Sequence, residues 1–261
     1  MAEEKRVILT KDGPVATMTF NRPEARNALD DASREAILEA LDDTTRDDAI
    51  RVLIVTGAGT AFCAGGDIKQ MERRLASPPG TLAIGGWRRQ RLVHEFVAKL
   101  HSFEKPTIAA VNGAATGLGC DVALCCDFIV ASEQAMFQMS YVLRGIIPDG
   151  GGMYFLPRRV GLPKAKDLIF SARRVMGPEA VAMGMADRLA KPQSLLSDAR
   201  AWALELAAQP APAIALAKAI IDRTFESSDE EIYAAGAQAQ GIVYSTDEHR
   251  AAVAEFLKPR K

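Results

Sequence analysis

Short apolar runs alternate with segments of helical periodicity up to about residue 192. Residues 6–20, RVILTKDGPVATMTF, set two stretches rich in β-branched side chains on either side of DGP, which predicts a β-hairpin. Residues 30–43, DDASREAILEALDD, open on Asp and Ser and carry Ile37, Leu38 and Leu41 at helical spacing, which predicts an amphipathic helix. RVLIVTG at 51–57 reads as a short strand ending in glycine. Residues 87–103, WRRQRLVHEFVAKLHSF, predict a longer helix with Leu92, Val93, Phe96, Val97 and Leu100 as its inward stripe. A strand (PTIAAVNG), a buried helix (GLGCDVALCC) and another strand (DFIVAS) follow over residues 106–132.

Strands and helices in alternation imply an α/β core whose strands are covered on both faces. In such folds ligand sites collect where strands end and helices begin. GAGTAFCAGGD (57–67) and VNGAATGLGC (111–120) both occupy such junctions. Beyond residue 192 the strand pattern stops. LLSDARAWALELAAQ, APAIALAKAIIDRTF, DEEIYAAGAQAQGIVY and DEHRAAVAEFL read as Ala-rich helices, several apolar on more than one face. Such helices are expected to pack against another surface, a second subunit among them. The expected division is therefore a core over 1–192 and a helical region over 193–261.

Composition narrows the function. The 261 residues are 48% hydrophobic and 25% charged, with a net charge of -1, so no broad basic surface points to nucleic acid or anionic membrane. The N-terminal MAEEKRVILT lacks the apolar core of a signal peptide, and no apolar run is long enough to span a bilayer, so the cytoplasm is the expected location. Cys63, Cys120, Cys125 and Cys126 form no CxxC pair and have no histidine nearby, which predicts buried packing residues and no metal site. His94 and His101 stand seven apart on one charged helix, as on a solvated face, and His249 lies near the C-terminus.

The glycine loops first suggest a nucleotide, but no GxxxxGK[ST] occurs and neither loop completes GxGxxG. A second role is open to them. Glycine lets a ligand approach backbone N–H groups, and at a helix N-terminus those groups are unpaired and electropositive. Two such loops converging would offer two donors to one oxygen, an oxyanion hole. Tight turns and close helix packing would call for the same glycines.

Five segments now occur in a familiar order: FNRPEARNALD, AFCAGGDIKQM, VNGAATGLGCDVALCCDFIVAS, FQMSYVLRGIIPDGGGMYFLPRRVG and GPEAVAMGMADRL. The chain resembles the crotonase (enoyl-CoA hydratase/isomerase) superfamily from about residue 6 to the C-terminal EFLKPRK. The resemblance implies a crotonase (ClpP-like) spiral of ββα units followed by a helical trimerisation region, assembled as a homotrimer or a dimer of trimers. It implies an acyl-coenzyme A thioester as substrate and no permanently bound cofactor or metal. Gly66 and Leu118 would supply the two oxyanion N–H groups. Ala64, Gly66, Asp67, Ile68 and Lys69 would line the CoA channel, and Arg26 and Lys258 would meet the CoA phosphates.

Hydratases of this family use two glutamates. Here Asp121 stands at the first position, with a reach shorter by about 1.5 Å, and Tyr141 at the second. Asp149, in GIIPDGGG, stands where family isomerases of the phenylacetate-pathway type place a working aspartate. The expected reaction is enoyl-CoA double-bond isomerisation with Asp149 as base. Hydration through Asp121 is the alternative, and a dehalogenase or hydrolase with Asp149 as nucleophile, or a non-catalytic CoA- or RNA-binding member, lies behind it. Each residue also has a plainer reading. Asp149 could be a turn residue or helix N-cap. Asp121 could act directly, tune Asp149, or be a satisfied polar group. Tyr141 could bond substrate or only wall the pocket. The insert at 73–90 is expected to form the variable wall of the acyl pocket.

Overall fold

The structure of the protein is a computed structural model describing residues 5–78 and 80–258. The first four and last three residues, part of the terminal segments discussed above, lie outside it. The predicted hairpin is β1 (Val7–Asp12) and β2 (Val15–Phe20), paired antiparallel in register Val7 to Phe20. The predicted helix α1 (Asp31–Arg46) starts at Asp30, whose carboxylate accepts from the Ser33 N–H at 2.8 Å. That is the expected N-cap chemistry. Ile37 and Leu41 are buried on its inner face.

Two sheets run through the core. The larger holds β1, β2, β3 (Val52–Gly57), β5 (Thr107–Val111), β7 (Phe128–Ser132) and β10 (Arg188–Ala190), in that order. The smaller holds β4 (Ala61–Cys63), β6 (Ala114–Thr116), β8 (Met136–Gln138) and β9 (Val175–Met176). The chain therefore climbs as a spiral. Each turn lays one strand in the large sheet, the next in the small sheet, and then a helix. After β3 and β4 come α2 (Ile68–Leu75) and α3 (Leu82–His101); after β5 and β6 comes α4 (Leu118–Cys125); after β7 and β8 comes α5 (Gly152–Val160). This is the ββα spiral of the expected α/β class. α6 (Leu162–Ser171) and α7 (Gly177–Ala182) complete it.

The central strands of the large sheet are covered on both faces, which is why β3 and β5 are buried along their whole length. Leu53, Val55, Ala109 and Ile129 face the main core with α1, α3 and α4, and Val52, Ile54, Ile108 and Val130 face α8 (Leu195–Ala207). In the main core Phe20 and Phe62 meet edge to face at 5.6 Å. On the other face Trp202 of α8 packs 4.5 Å from Phe128. The four cysteines are free and buried.

The stripe expected on α3 needs one correction. Val93, Phe96, Val97 and Leu100 are buried, but Leu92 is 53% exposed. At 100° per residue the buried face centres on Val93 and Leu100, and continues one turn back to Arg89 rather than across to Leu92. The last helices, α9 (Ala211–Ile221), α10 (Asp229–Tyr244) and α11 (Asp247–Phe256), contain no buried residue. Among the described residues no single helix is long and apolar enough to cross a membrane.

Candidate active site

β4, β6 and β8 are adjacent and parallel, with Cys63 opposite Ala115 and Thr116 opposite Gln138. Their C-terminal ends are therefore level, and the residues that follow come together. Gly66 lies three residues beyond Cys63, Leu118 two beyond Thr116, and Ser140 and Tyr141 just beyond Gln138. All four line one cavity of about 270 Å³, together with Ala64, Gly65, Ile68, Met71, Val93, Ile146, Arg89, Arg144 and Asp149.

Among the described residues no hydrogen-bond acceptor is found for the Gly66 and Leu118 amides at this junction. Leu118 is the first residue of α4, so its amide has no intrahelical acceptor. Gly66 sits in an isolated parallel bridge with Leu29. There the Leu29 N–H donates to Gly65 O at 2.7 Å and the Asp67 N–H to Leu29 O at 3.1 Å, so the bridge fixes the loop without using the Gly66 amide. The Thr116 hydroxyl holds the same loop by donating to Ala64 O at 3.0 Å. Gly65 makes the approach possible. Its φ is +91°, and a Cβ there would lie 2.6 Å from Thr116 O and 3.3 Å from the Leu118 amide nitrogen. Glycine at 65 is needed for both conformation and space.

The two aspartates part company. Asp149 is half-buried on the cavity wall, the one carboxylate among its described lining residues. Burial raises its pKa above the ordinary carboxylate value, while its own backbone N–H, His94 and Arg89 pull the other way. It does not cap the following helix, whose N-cap is Gly151 with no side-chain bond. The His94 imidazole lies with Nε2 3.0 Å from the Asp149 carbonyl oxygen, tying the loop to α3.

Asp121 lies on α4, is completely buried and does not line the cavity. Tyr141 stands in front of it: the phenol lines the cavity while its hydroxyl donates to Asp121 Oδ2. Burial pushes the Asp121 carboxyl up to about 7, against the pull of the Tyr141 bond and the Gly152 amide, with the Asp149 charge adding to the rise. Among the described residues Asp121 Oδ1 has no hydrogen-bond partner. The glycines after Asp149 make room for this carboxyl, since a Cβ on Gly152 would stand 2.4 Å from Oδ1 and one on Gly150 2.7 Å from Oδ2.

Of the other residues singled out in the sequence, Ala64 and Ile68 reach the cavity. Asp67 and Lys69 do not line it. The Asp67 carboxylate accepts from Arg22 Nη1 at 3.1 Å and from the Lys69 N–H at 2.9 Å, and so anchors the loop entering α2. Arg26 has left-handed backbone (φ 51°) between Ala25 and Ala28, which do line the cavity. Lys258 pairs with Glu255 at the end of α11 and is not among the lining residues. Of the insert, Arg89 and Gln90 line the cavity. No group of three or more His, Cys, Asp or Glu among the described residues is arranged to hold a metal ion.

Two charged cavity residues, Arg89 and Arg144, were not singled out in the sequence, although Arg89 belongs to the insert at 73–90 expected to wall the pocket. Arg89 follows from helical spacing, since it lies four residues before Val93 on the buried face of α3. Arg144 carries no such signal: it sits in a short 3₁₀ turn, its Nη1 donating to Ser140 O at 3.1 Å.

Comparison with known proteins bears on the family and the fold. The family model described as enoyl-CoA hydratase/isomerase matches residues 10–261. A short-chain-enoyl-CoA hydratase of Clostridium acetobutylicum is 34% identical over 260 residues, covering 99% of this chain and 97% of the relative. A 1,2-epoxyphenylacetyl-CoA isomerase of Escherichia coli is 33% identical over 246 residues, covering 94% and 93%. The crystal structure of an enoyl-CoA hydratase/isomerase from Cupriavidus metallidurans superposes with a TM-score of 0.91 at 30% identity, covering 100% of both chains.

Proposed function

The chain belongs to the enoyl-CoA hydratase/isomerase family, and from that premise we propose that it moves the double bond of an enoyl-CoA thioester, with Asp149 as the proton carrier. The observation that carries this reading is the placement of Asp149. It is the carboxylate on the wall of the cavity that also presents the unpaired Gly66 and Leu118 amides.

Asp149 removes a proton from Cα of a 3-enoyl thioester. The C–H electron pair passes into the conjugated system and onto the thioester oxygen, where the two amides hold the negative charge. Each such donor is worth roughly 3–4 kcal/mol to a developing oxyanion. Half-exposed, the Asp149 carboxyl exchanges its proton with solvent and then delivers a proton at Cγ, the carbonyl re-forms, and the double bond lies between Cα and Cβ. The step needs no resident cofactor, because coenzyme A arrives as part of the substrate. Half-burial suits Asp149 to both halves of the cycle, since a raised carboxylate is a better base and its acid is still strong enough to give the proton back.

Hydration is the second reading, favoured by the hydratase names of several relatives. It requires a carboxylate to activate water, and Asp121 is separated from the cavity by Tyr141. We propose further that residues 193–261 serve assembly into a trimer or a dimer of trimers. Supporting this, Ile221, Phe225, Tyr233, Ile242 and Phe256 on and between α9, α10 and α11 are all exposed.

The experiment that separates the two reactions incubates the purified protein with 2-enoyl- and 3-enoyl-CoA in deuterated water and follows products by mass. Deuterium at Cα and Cγ without added water supports isomerisation. Gain of one water without exchange at Cγ assigns hydration instead.

A further inference from the structure

We infer that Arg89 is the counter-ion of the single negative charge that the reaction moves from Asp149 to the thioester oxygen. This rests on the reading of Asp149 as the base. Arg89 stands on the buried face of α3, one turn before Val93, and lines the cavity with Gly66, Leu118 and Asp149. Its Nη2 lies 3.8 Å from where a Cβ on Gly66 would be, beside one of the two oxyanion donors. Its charge also reaches Asp149, and each group favours the charged form of the other.

Among the described residues Arg89 has no ion-pair partner that would explain its position. No ion pair to a carboxylate is formed by Arg89 among the described residues, and its buried Nε has no acceptor there. A half-buried guanidinium without an anion is costly. Burial and the like charge of Arg34 on α1, itself paired with Asp31, both weaken its hold on its proton. The anion that would offset these costs is in the cavity.

The chemistry supplies that anion at every stage. Before proton transfer the negative charge is on Asp149; afterwards Asp149 is neutral and the charge is on the enolate oxygen. A cation beside only one of these positions would favour one side of the step. Arg89 shares the cavity with both Gly66 and Asp149 and acts on the Asp149 charge, so the cavity keeps a balanced pair of charges as the negative one migrates. The backbone amides direct the oxygen, and the guanidinium balances its charge.

Several other groups face Asp149. His94 approaches from α3 against its carbonyl, Asp121 lies behind on α4 with Tyr141 between, and Arg144 lines the cavity from the 3₁₀ turn. Arg89 differs from these in combining a guanidinium beside Gly66 with a pull on the Asp149 carboxylate.

The test compares Arg89→Met, Arg89→Gln and Arg89→Lys with wild type, reading kcat and KM for 3-enoyl-CoA across pH, with Asp149→Asn in parallel. Circular dichroism identifies any variant that fails to fold, and Gln, which keeps hydrogen-bond donors, serves where Met does not. Removing the charge is expected to lower kcat by about tenfold or more. It also moves the acid limb of the kcat/KM profile upward by about one unit. Lysine keeps the limb near its wild-type position and recovers most of kcat. A loss of kcat with an unmoved limb, or a rise in KM alone as for a phosphate clamp, would overturn the inference. If Asp149→Asn keeps wild-type turnover, the base assignment fails first. If it is inactive while the Arg89 variants leave the limb in place, only the role of Arg89 falls.

Discussion

The Tyr141 hydroxyl donates to Oδ2 of Asp121, so the carboxyl on α4 is closed off from the cavity by a phenol ring that lines it. Two residues twenty apart in sequence thus form one buried pair. That pair keeps Asp121 off the cavity and leaves Asp149 as the carboxylate among its described lining residues.

Tyr141→Phe removes the donor and leaves Asp121 Oδ2 buried without its partner. Such a loss costs about 1–3 kcal/mol. Urea unfolding monitored by fluorescence is expected to show a lower midpoint with an unchanged slope. An unchanged midpoint would mean that the pair is not formed in solution.

Asp121 also makes stability depend on pH. Its carboxyl titrates near 3.8 when unfolded and at about 7 when folded. Between about pH 4 and 7 the folded chain keeps a proton that the unfolded chain has released, so stability falls as pH rises through that window. The contribution is fully present below the unfolded value and gone above the folded one. At about 1.4 kcal/mol per unit the total is on the order of a few kcal/mol. Asp121→Asn does not titrate, so its unfolding free energy, measured at several pH values, should be flatter than wild type from pH 4 to 7.

Gly65→Ala tests the convergence of the two loops. The new Cβ would meet Thr116 O at 2.6 Å in a left-handed conformation that alanine disfavours, pushing Gly66 away from Leu118. With one oxyanion donor displaced, kcat should fall by about 100-fold or more. A stable variant with full kcat would show that these amides do not act together.

The exposed apolar residues of the C-terminal helices predict assembly through them. Glutamate at both Ile221 and Phe225 should shift native mass spectra from trimer or hexamer towards monomer. An unchanged assembly would place the interface elsewhere.

Much of the fold was readable in the sequence because its signals are local. Val7–Phe20 alternates around a glycine turn, Asp30 caps a periodic helix, and the Val52–Gly57 strand is apolar on both faces because helices cover both. The smaller sheet was not readable. β4, β6 and β8 are three residues long, too short for a period, and are recognisable only by their pairing. Yet it is their level ends that assemble the site. Leu92 was assigned inward on hydropathy, where helical geometry turns Arg89 in instead. The contact of His94 with the Asp149 carbonyl has no sequence signature at all, since any loop supplies a backbone oxygen.

The most direct measurement compares Asp149→Asn and Asp121→Asn for deuterium uptake at Cα and Cγ of bound enoyl-CoA in deuterated water. With Asp149 as the proton carrier, the first variant loses about 100-fold or more of the exchange rate, and the second, though altered in stability, keeps far more. Wild-type exchange in Asp149→Asn, or loss of exchange confined to Asp121→Asn, would contradict it.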